Sequence, residues 1–253
     1  INEFVERLHT SIKTAKPWVK FGISPFGIWR PGNPPQVQGF DSYAKLYADS
    51  RKWLANGWVD YFSPQLYWAI DAPEQRFPVL LKWWTDQNPR NRLLVPGLAS
   101  NKAAGPWTTS EILEQIRIGR QQDGVNGQIH WNMSALLKNS ALAGALQRGP
   151  YAEPALVPGC TWVRRSVPEK PLVSATQDGK STSITFKPGD SEPVGVWLLQ
   201  TRSGGAWQNN VLPRERRTFT FDSAPPDAIA VSAVDRYGNV SRPATLARQS
   251  TPN

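Results

Sequence analysis

Two short runs of the 253-residue sequence carry the side chains best suited to chemistry: Gln65, Tyr67 and Trp68 in one, His130, Trp131 and Asn132 in the other. An amide offers donors and an acceptor, a neutral imidazole donates or accepts, and an indole presents a flat apolar face. Ser24, Trp29, Arg30 and Asn101 stand just after other short apolar runs. Carboxylates at such places are scarcer, with Asp41 after the apolar run at 19–24 and Asp71 after the one at 59–67. Metal binding lacks material, because Cys160 is the one cysteine and His9 and His130 lie far apart. Ser24 has no His–Asp companions near it, which leaves a nucleophilic serine without support. Cys160 follows Pro158-Gly159 in a connecting stretch and is assigned no chemistry. No cofactor is implied.

The elements that must position these groups follow from periodicity. Phe4, Val5, Leu8, Ile12 and Ala15 recur at helical spacing until Pro17 closes the run. Short apolar stretches at 19–24, 59–67, 93–98 and 127–131 read as buried strands. Helical patterns follow them at 43–56, 74–87, from Thr109 or Ser110 to 123, and at 135–146. Asp41 or Ser42 is placed to cap the second helix. Strand–helix units of roughly 35 residues predict parallel pairing with helical crossovers. Two architectures compete, an open doubly wound sheet and a (β/α) barrel. No glycine-rich phosphate loop follows any strand, which removes the main support for a nucleotide-binding sheet. The polar and aromatic residues gather at strand C-terminal ends, where a barrel keeps its active site. Four units make half of an eight-stranded barrel, and half a barrel alone exposes two strand edges.

Beyond Pro168 the pattern changes to short alternating strands at 172–175, 183–186, 194–201, 218–221 and 228–234, divided by Gly, Pro and Asp turns. A spacing of about ten residues predicts a β-sandwich. The closing stretch, Val234-Asp235-Arg236-Tyr237-Gly238-Asn239-Val240-Ser241, resembles the end of a fibronectin type III domain. The expected division is 1–165 and 166–253, joined by a short basic linker at 164–169.

Twenty-nine Lys and Arg against twenty Asp and Glu leave +9. No run gathers five basic residues, so the charge is scattered and a nucleic-acid role ranks last. No stretch of eighteen apolar residues is present, so no membrane-spanning segment is expected. The first residues lack a signal-peptide pattern and an initiator Met, and begin inside a helix. The chain therefore reads as a piece of a longer one or a processed product.

Three motifs carry a family resemblance: Phe21-Gly22-Ile23-Ser24-Pro25-Phe26-Gly27-Ile28-Trp29-Arg30, then Ser42-Tyr43-Ala44-Lys45-Leu46-Tyr47-Ala48-Asp49-Ser50-Arg51-Lys52-Trp53, then Asp60-Tyr61-Phe62-Ser63-Pro64-Gln65-Leu66-Tyr67-Trp68. In this order they resemble the second half of the glycosyl hydrolase-like 10 family, bacterial cell-envelope proteins with a (β/α)₈ barrel. The resemblance weakens after Asp71. It implies that the four strands are the fifth to eighth of a barrel, followed by the fibronectin type III-like sandwich. It also implies an extracytoplasmic location and hydrolysis of envelope glycan, peptidoglycan first. The first four strands, with an acidic strand-four motif, would precede Ile1 or arrive with a second copy, and this chain alone is expected to be inactive.

Glycoside hydrolysis uses two carboxyl groups flanking the scissile bond. Asp71 is the catalytic candidate here, against a plain turn or cap role beside Pro73. Asp60 opens its strand, faces the opposite end and reads as structural. Alternation sends Gln65 and Tyr67 to one face, with Trp68 at the strand's end. Gln65 is a partner for sugar hydroxyls or a core amide tied to backbone. Trp29, Trp68 and Trp131 could each stack on a pyranose face, whereas Trp18, Trp53, Trp58, Trp83 and Trp84 read as packing residues. His130 and Asn132 share a side; the imidazole serves a sugar hydroxyl or is a satisfied core histidine. Arg30 pairs with a lactyl carboxylate or lies in a solvated loop. A non-catalytic carbohydrate-binding or envelope scaffold protein is the alternative reading.

Overall fold

Backbone hydrogen bonds tie four segments of the first unit into one parallel ladder. The computed structural model describes residues 1–178, 181–222 and 225–247, and the chain separates into two compact units, Ile1–Ala152 and Glu153–Asn253. In the first, β1 (Gly22–Ile23) pairs with β2 (Tyr61–Phe62), and β2 with β3 (Leu93–Leu94). β4 (Gly97–Leu98) pairs with β5 (Ile129–His130), again in parallel. Bridges from Gln65 to Phe26 and Gly97, and from Leu94 to Val125, join these pieces in chain order. The strands are thus shorter than the apolar runs, but the bonding continues past them: Gln65 N–H donates to Pro25 O and Trp131 N–H to Leu98 O.

The helices differ from the expectation where local chemistry breaks them. α1 spans Asn2–Ala15. The run at 43–56 is two helices, α2 (Ser42–Leu46) and α3 (Ser50–Asn56). Tyr47 turns left-handed (φ 53°) and ends α2, and the Asp49 carboxylate caps α3. α4 (Phe77–Asp86) starts later than the sequence suggested, with Pro78 in its first turn, where a missing N–H costs nothing. A 3₁₀ turn at Ser100–Ala104 precedes α5 (Thr109–Gln121). The final helix is also split, into α6 (Met133–Lys138) and α7 (Ser140–Arg148), because the Asn139 side chain accepts from Leu142 N–H and opens a new helix.

Spacing on α4 and α5 explains which face is covered. Phe77, Leu80, Leu81 and Trp84, and likewise Ile112 and Ile116, recur at one helical stripe and are buried. They form one core with Leu54, Leu142 and Leu146 from other helices and with Phe62, Leu66, Leu94 and Leu98 from the strands. At the strands' entry end Asp60 is fully buried, accepts from Phe21 N–H at 2.8 Å and pairs with Lys13 of α1.

The second unit holds two antiparallel sheets over one core. β6 (Leu172–Asp178), β7 (Ser181–Lys187) and β10 (Thr218–Phe221) make one, in the order β10-β7-β6. β8 (Val194–Ser203), β9 (Ala206–Pro213), β11 (Ala228–Asp235) and β12 (Ala244–Ala247) make the other, in the order β12-β11-β8-β9. Ile184, Phe186, Trp197, Leu199 and Val231 fill the space between them. The polar run Gln208-Asn209-Asn210 hid β9 from the sequence reading, although the left-handed Gly204-Gly205 pair before it makes a hairpin turn. The division falls earlier than residue 165. Cys160 N–H donates to Tyr237 O, Asn239 Nδ2 to Arg164 O, and Arg164 Nη1 to Glu192 at 2.9 Å, so the expected linker is bonded into the second unit.

Candidate functional site

In a parallel ladder, registered residues point to the same side, and alternate residues on one strand do too. Ile23, Phe62, Leu94 and Val125 are in register and face the helices. Gly22, Tyr61 and Leu93 are in register on the opposite face. The pairing of Gln65 with Gly97, and of Gly97 with Ile129, continues that opposite face toward the strand ends. Two residues further along, Tyr67 and Trp131 occupy it as well. Their ring centroids are 6.4 Å apart and their planes 34° from parallel.

Glycines make room for this aromatic surface. A Cβ on Gly22 would stand 2.2 Å from Tyr61 Cζ, and one on Gly97 would stand 3.2 Å from Tyr67 Cε1. Each ring therefore lies over a residue without a side chain. Gln65 Nε2 donates to Ser24 O at 3.0 Å, which fixes the amide plane. Lys102 Nζ donates to Tyr67 O at 2.7 Å while standing 4.7 Å from the Trp107 ring centroid. Burial pushes the Tyr67 phenol above its usual pKa of 10.0, so at neutral pH it remains a hydroxyl that donates and accepts. Trp131 is 54% exposed. This face can stack a flat apolar ligand surface and bond its hydroxyls.

The structure places the other candidates elsewhere. Trp68 meets Phe26 edge-on at 5.6 Å and packs against the helix-side core, while its carbonyl accepts from Gln115 Nε2. His130 is in register with Leu98 and shares the helix side. Its Nδ1 lies 2.6 Å from Ser100 Oγ and its Nε2 2.6 Å from the Tyr151 hydroxyl. Gln128 Nε2 donates to that hydroxyl, so Ser100, His130, Tyr151 and Gln128 form one hydrogen-bonded chain. Burial lowers the His130 pKa from 6.5, which favours the neutral imidazole. Asn132 Oδ1 accepts from Ala135 N–H and caps α6. Trp29 stacks on Trp83 of α4 at 6.1 Å and 20°, with its Nε1 donating to Asp49. Arg30 lies over the Tyr43 ring at 4.7 Å, with Asp41 at 3.7 Å. Asp71 stands in an exposed turn.

Sequence reasoning missed Glu111, Gln115, Ser100 and Tyr151. Thr108-Thr109-Ser110-Glu111 has the spacing of a capping box, and Thr108 does accept from Glu111 N–H. The Glu111 carboxylate, however, accepts from Ile70 N–H and Gln115 Nε2, both at 2.8 Å, and so ties the loop after Trp68 to α5. That motif was the one signal available. A hydrogen bond between residues 41 positions apart leaves no mark in sequence.

Residues 1–111 match the sequence model described as Glycosyl hydrolase-like 10. The first 111 residues are thus similar in sequence to the glycosyl hydrolase-like 10 family. The chain is 32% identical over 266 residues to Glycosyl hydrolase YngK of Bacillus subtilis (strain 168), covering 96% of this chain and 52% of that protein. It is 36% identical over 110 residues to Glycosyl hydrolase DigH of Escherichia coli (strain K12), covering 41% of this chain and 25% of that protein. The chain thus spans about half the length of the first of these relatives, or less of the other. A crystal structure of an FN3 domain of human collagen XX aligns with 33% of this chain and 93% of that one, at 15% identity and a TM-score of 0.26, too low to carry an argument.

Within this segment three carboxylates near the strand ends are occupied, whereas Asp71 is exposed. Asp41 caps α2, Asp49 caps α3 and holds the Trp29 indole, and Glu111 holds Ile70. Among the described residues no group of three or more His, Cys, Asp and Glu is arranged to hold a metal ion. No helix among them is long and apolar enough to cross a membrane.

Proposed function

We propose that the chain is part of a bacterial glycoside hydrolase acting outside the cytoplasm on envelope glycan, peptidoglycan first, and that Gln65, Tyr67 and Trp131 line its substrate cleft. The observation that carries this reading is the shared sheet face of those three residues, opposite the helices, within a segment of glycosyl hydrolase-like 10 sequence. Strand order equal to chain order, with the α4 and α5 stripes packed on the other side, suits half of a (β/α)₈ barrel better than a doubly wound sheet, whose order reverses at a switch point. In that architecture the aromatic face is the inner wall, and the remaining wall is supplied by further polypeptide. The two-sheet unit is a fibronectin type III-like module that docks the enzyme to its surroundings.

Chemically, the wall binds and orients. Tyr67 and Trp131 offer ring faces to the C–H side of a pyranose, and the Gln65 amide and Tyr67 hydroxyl take sugar hydroxyls. The acid and nucleophile or base are assigned to carboxyls outside this chain's occupied set, so the isolated chain binds glycan without cleaving it. Asp71, exposed in the turn after the second strand, is the candidate within this chain to join them. The occupied carboxylates also favour a second reading, a glycan-binding protein without turnover.

Purified peptidoglycan incubated with the full-length protein tests the choice. Release of soluble saccharide, lost in a Tyr67→Ala/Trp131→Ala variant that still folds, supports the enzyme. Binding without any release supports the binder, and neither binding nor release overturns both.

A further inference from the structure

Trp29 and Trp83 form a second aromatic feature, on the solvent flank of α3 and α4 and apart from the strand-end face. Their rings are nearly parallel, 6.1 Å between centroids. A cavity of about 380 Å³ borders Trp29 and is edged by Arg51, Lys52 and Gln87. Another of about 340 Å³ borders Trp83, with Pro34, Pro78 and Lys82 around it. Asp86 lines both, so the two adjoin at that residue and make the two ends of one groove. Each is within the size range of small-molecule sites.

The polar groups of this groove are held in place. Lys82 Nζ reaches both Asp86 oxygens at 2.9 Å, Arg51 Nε donates to Gln87 Oε1 at 2.6 Å, and Trp29 Nε1 donates to Asp49 at 3.1 Å. Because the Arg51 guanidinium lies over the Trp29 ring at 5.2 Å, the indole face left for a ligand is that of Trp83, where indole and proline surfaces alternate with carboxylate and cationic groups. That alternation matches an extended saccharide strand, whose rings present apolar faces and whose edges present hydroxyls. Arg51 and Lys52 add positive charge at the Trp29 end, complementary to a glycan that carries carboxylates.

We infer that this groove is a second saccharide-binding site, one that holds a polymeric glycan strand on the outside of the enzyme while the strand-end cleft works on it. The inference rests on the proposed glycan function. Trp29, an expected cleft residue, belongs to this second site.

The test uses the full-length protein with two substrates, insoluble purified peptidoglycan for retention by sedimentation and a short soluble oligosaccharide from it for turnover. Trp83→Ala is expected to weaken retention about three- to tenfold, the loss of one aromatic contact, and to leave oligosaccharide turnover unchanged. Arg51→Ala/Lys52→Ala, on exposed positions, is expected to lower retention with turnover intact. Retention equal to the parent in both variants overturns the groove and leaves the proposed function standing. If Trp83→Ala fails to fold, the Arg51/Lys52 variant decides by the same criterion. A parent protein that neither retains nor cleaves glycan overturns the function and the groove together.

Discussion

Tyr67 and Trp131 come from strands that are not neighbours, yet their rings lie 6.4 Å apart on one face because Gly97, on the strand between, has no side chain to separate them. This relationship gives the first prediction. Tyr67→Ala and Trp131→Ala should each weaken glycan binding about three- to tenfold, and Tyr67→Phe less, because it keeps the ring and loses one hydroxyl. Gly97→Val should weaken binding as well, by displacing Tyr67. Titration with a soluble peptidoglycan oligosaccharide measures all four.

The core under this face sets the stability of the first unit. Trp84 is fully buried, meets Phe62 at 4.9 Å and donates from Nε1 to Gly27 O. Trp84→Ala should cost about 3–5 kcal/mol by denaturant unfolding, through the cavity it leaves. Val19→Ala, at an exposed position, should change it by less than about 0.5 kcal/mol.

Strand order and helix stripes were legible in the sequence because burial imposes a period on residues such as Phe77, Leu80, Leu81 and Trp84. The facing of Gln65 and Tyr67 followed from alternation in the same way. Helix breaks were not legible, because they depend on single events: the left-handed Tyr47 and the Asn139 side chain that opens α7. His130 stayed open between a sugar-hydroxyl partner and a core histidine for a related reason. Its partners Ser100 and Tyr151 stand 30 and 21 positions away, and only the register of β5 shows that it faces the helices while Trp131 does not.

Both histidines are held below their ordinary pKa of 6.5, mainly by burial. The unfolded chain therefore takes up protons near pH 6.5 while the native chain does not, and native stability should fall as pH drops below that value. The ion-paired glutamates with lowered pKa act below their ordinary value of 4.5. Between pH 6.5 and 4.5, His130→Gln should show a shallower loss of stability than the parent. Unfolding midpoints across that window measure it, and parallel curves would contradict the neutral Ser100–His130–Tyr151 arrangement.

Glu111 predicts a split between two conservative changes. Glu111→Ala removes the acceptor for Ile70 N–H and should cost about 1–2 kcal/mol, whereas Glu111→Gln keeps an acceptor and should cost less. Hydrogen exchange at Ile70 reports the difference directly.

The most direct test of the account compares glycan binding and glycan release by this 253-residue chain on purified peptidoglycan. Retention that falls in Tyr67→Ala/Trp131→Ala, with no saccharide released by the parent chain, is the predicted result. Saccharide release by the chain alone, or retention unchanged by the double substitution, would contradict it.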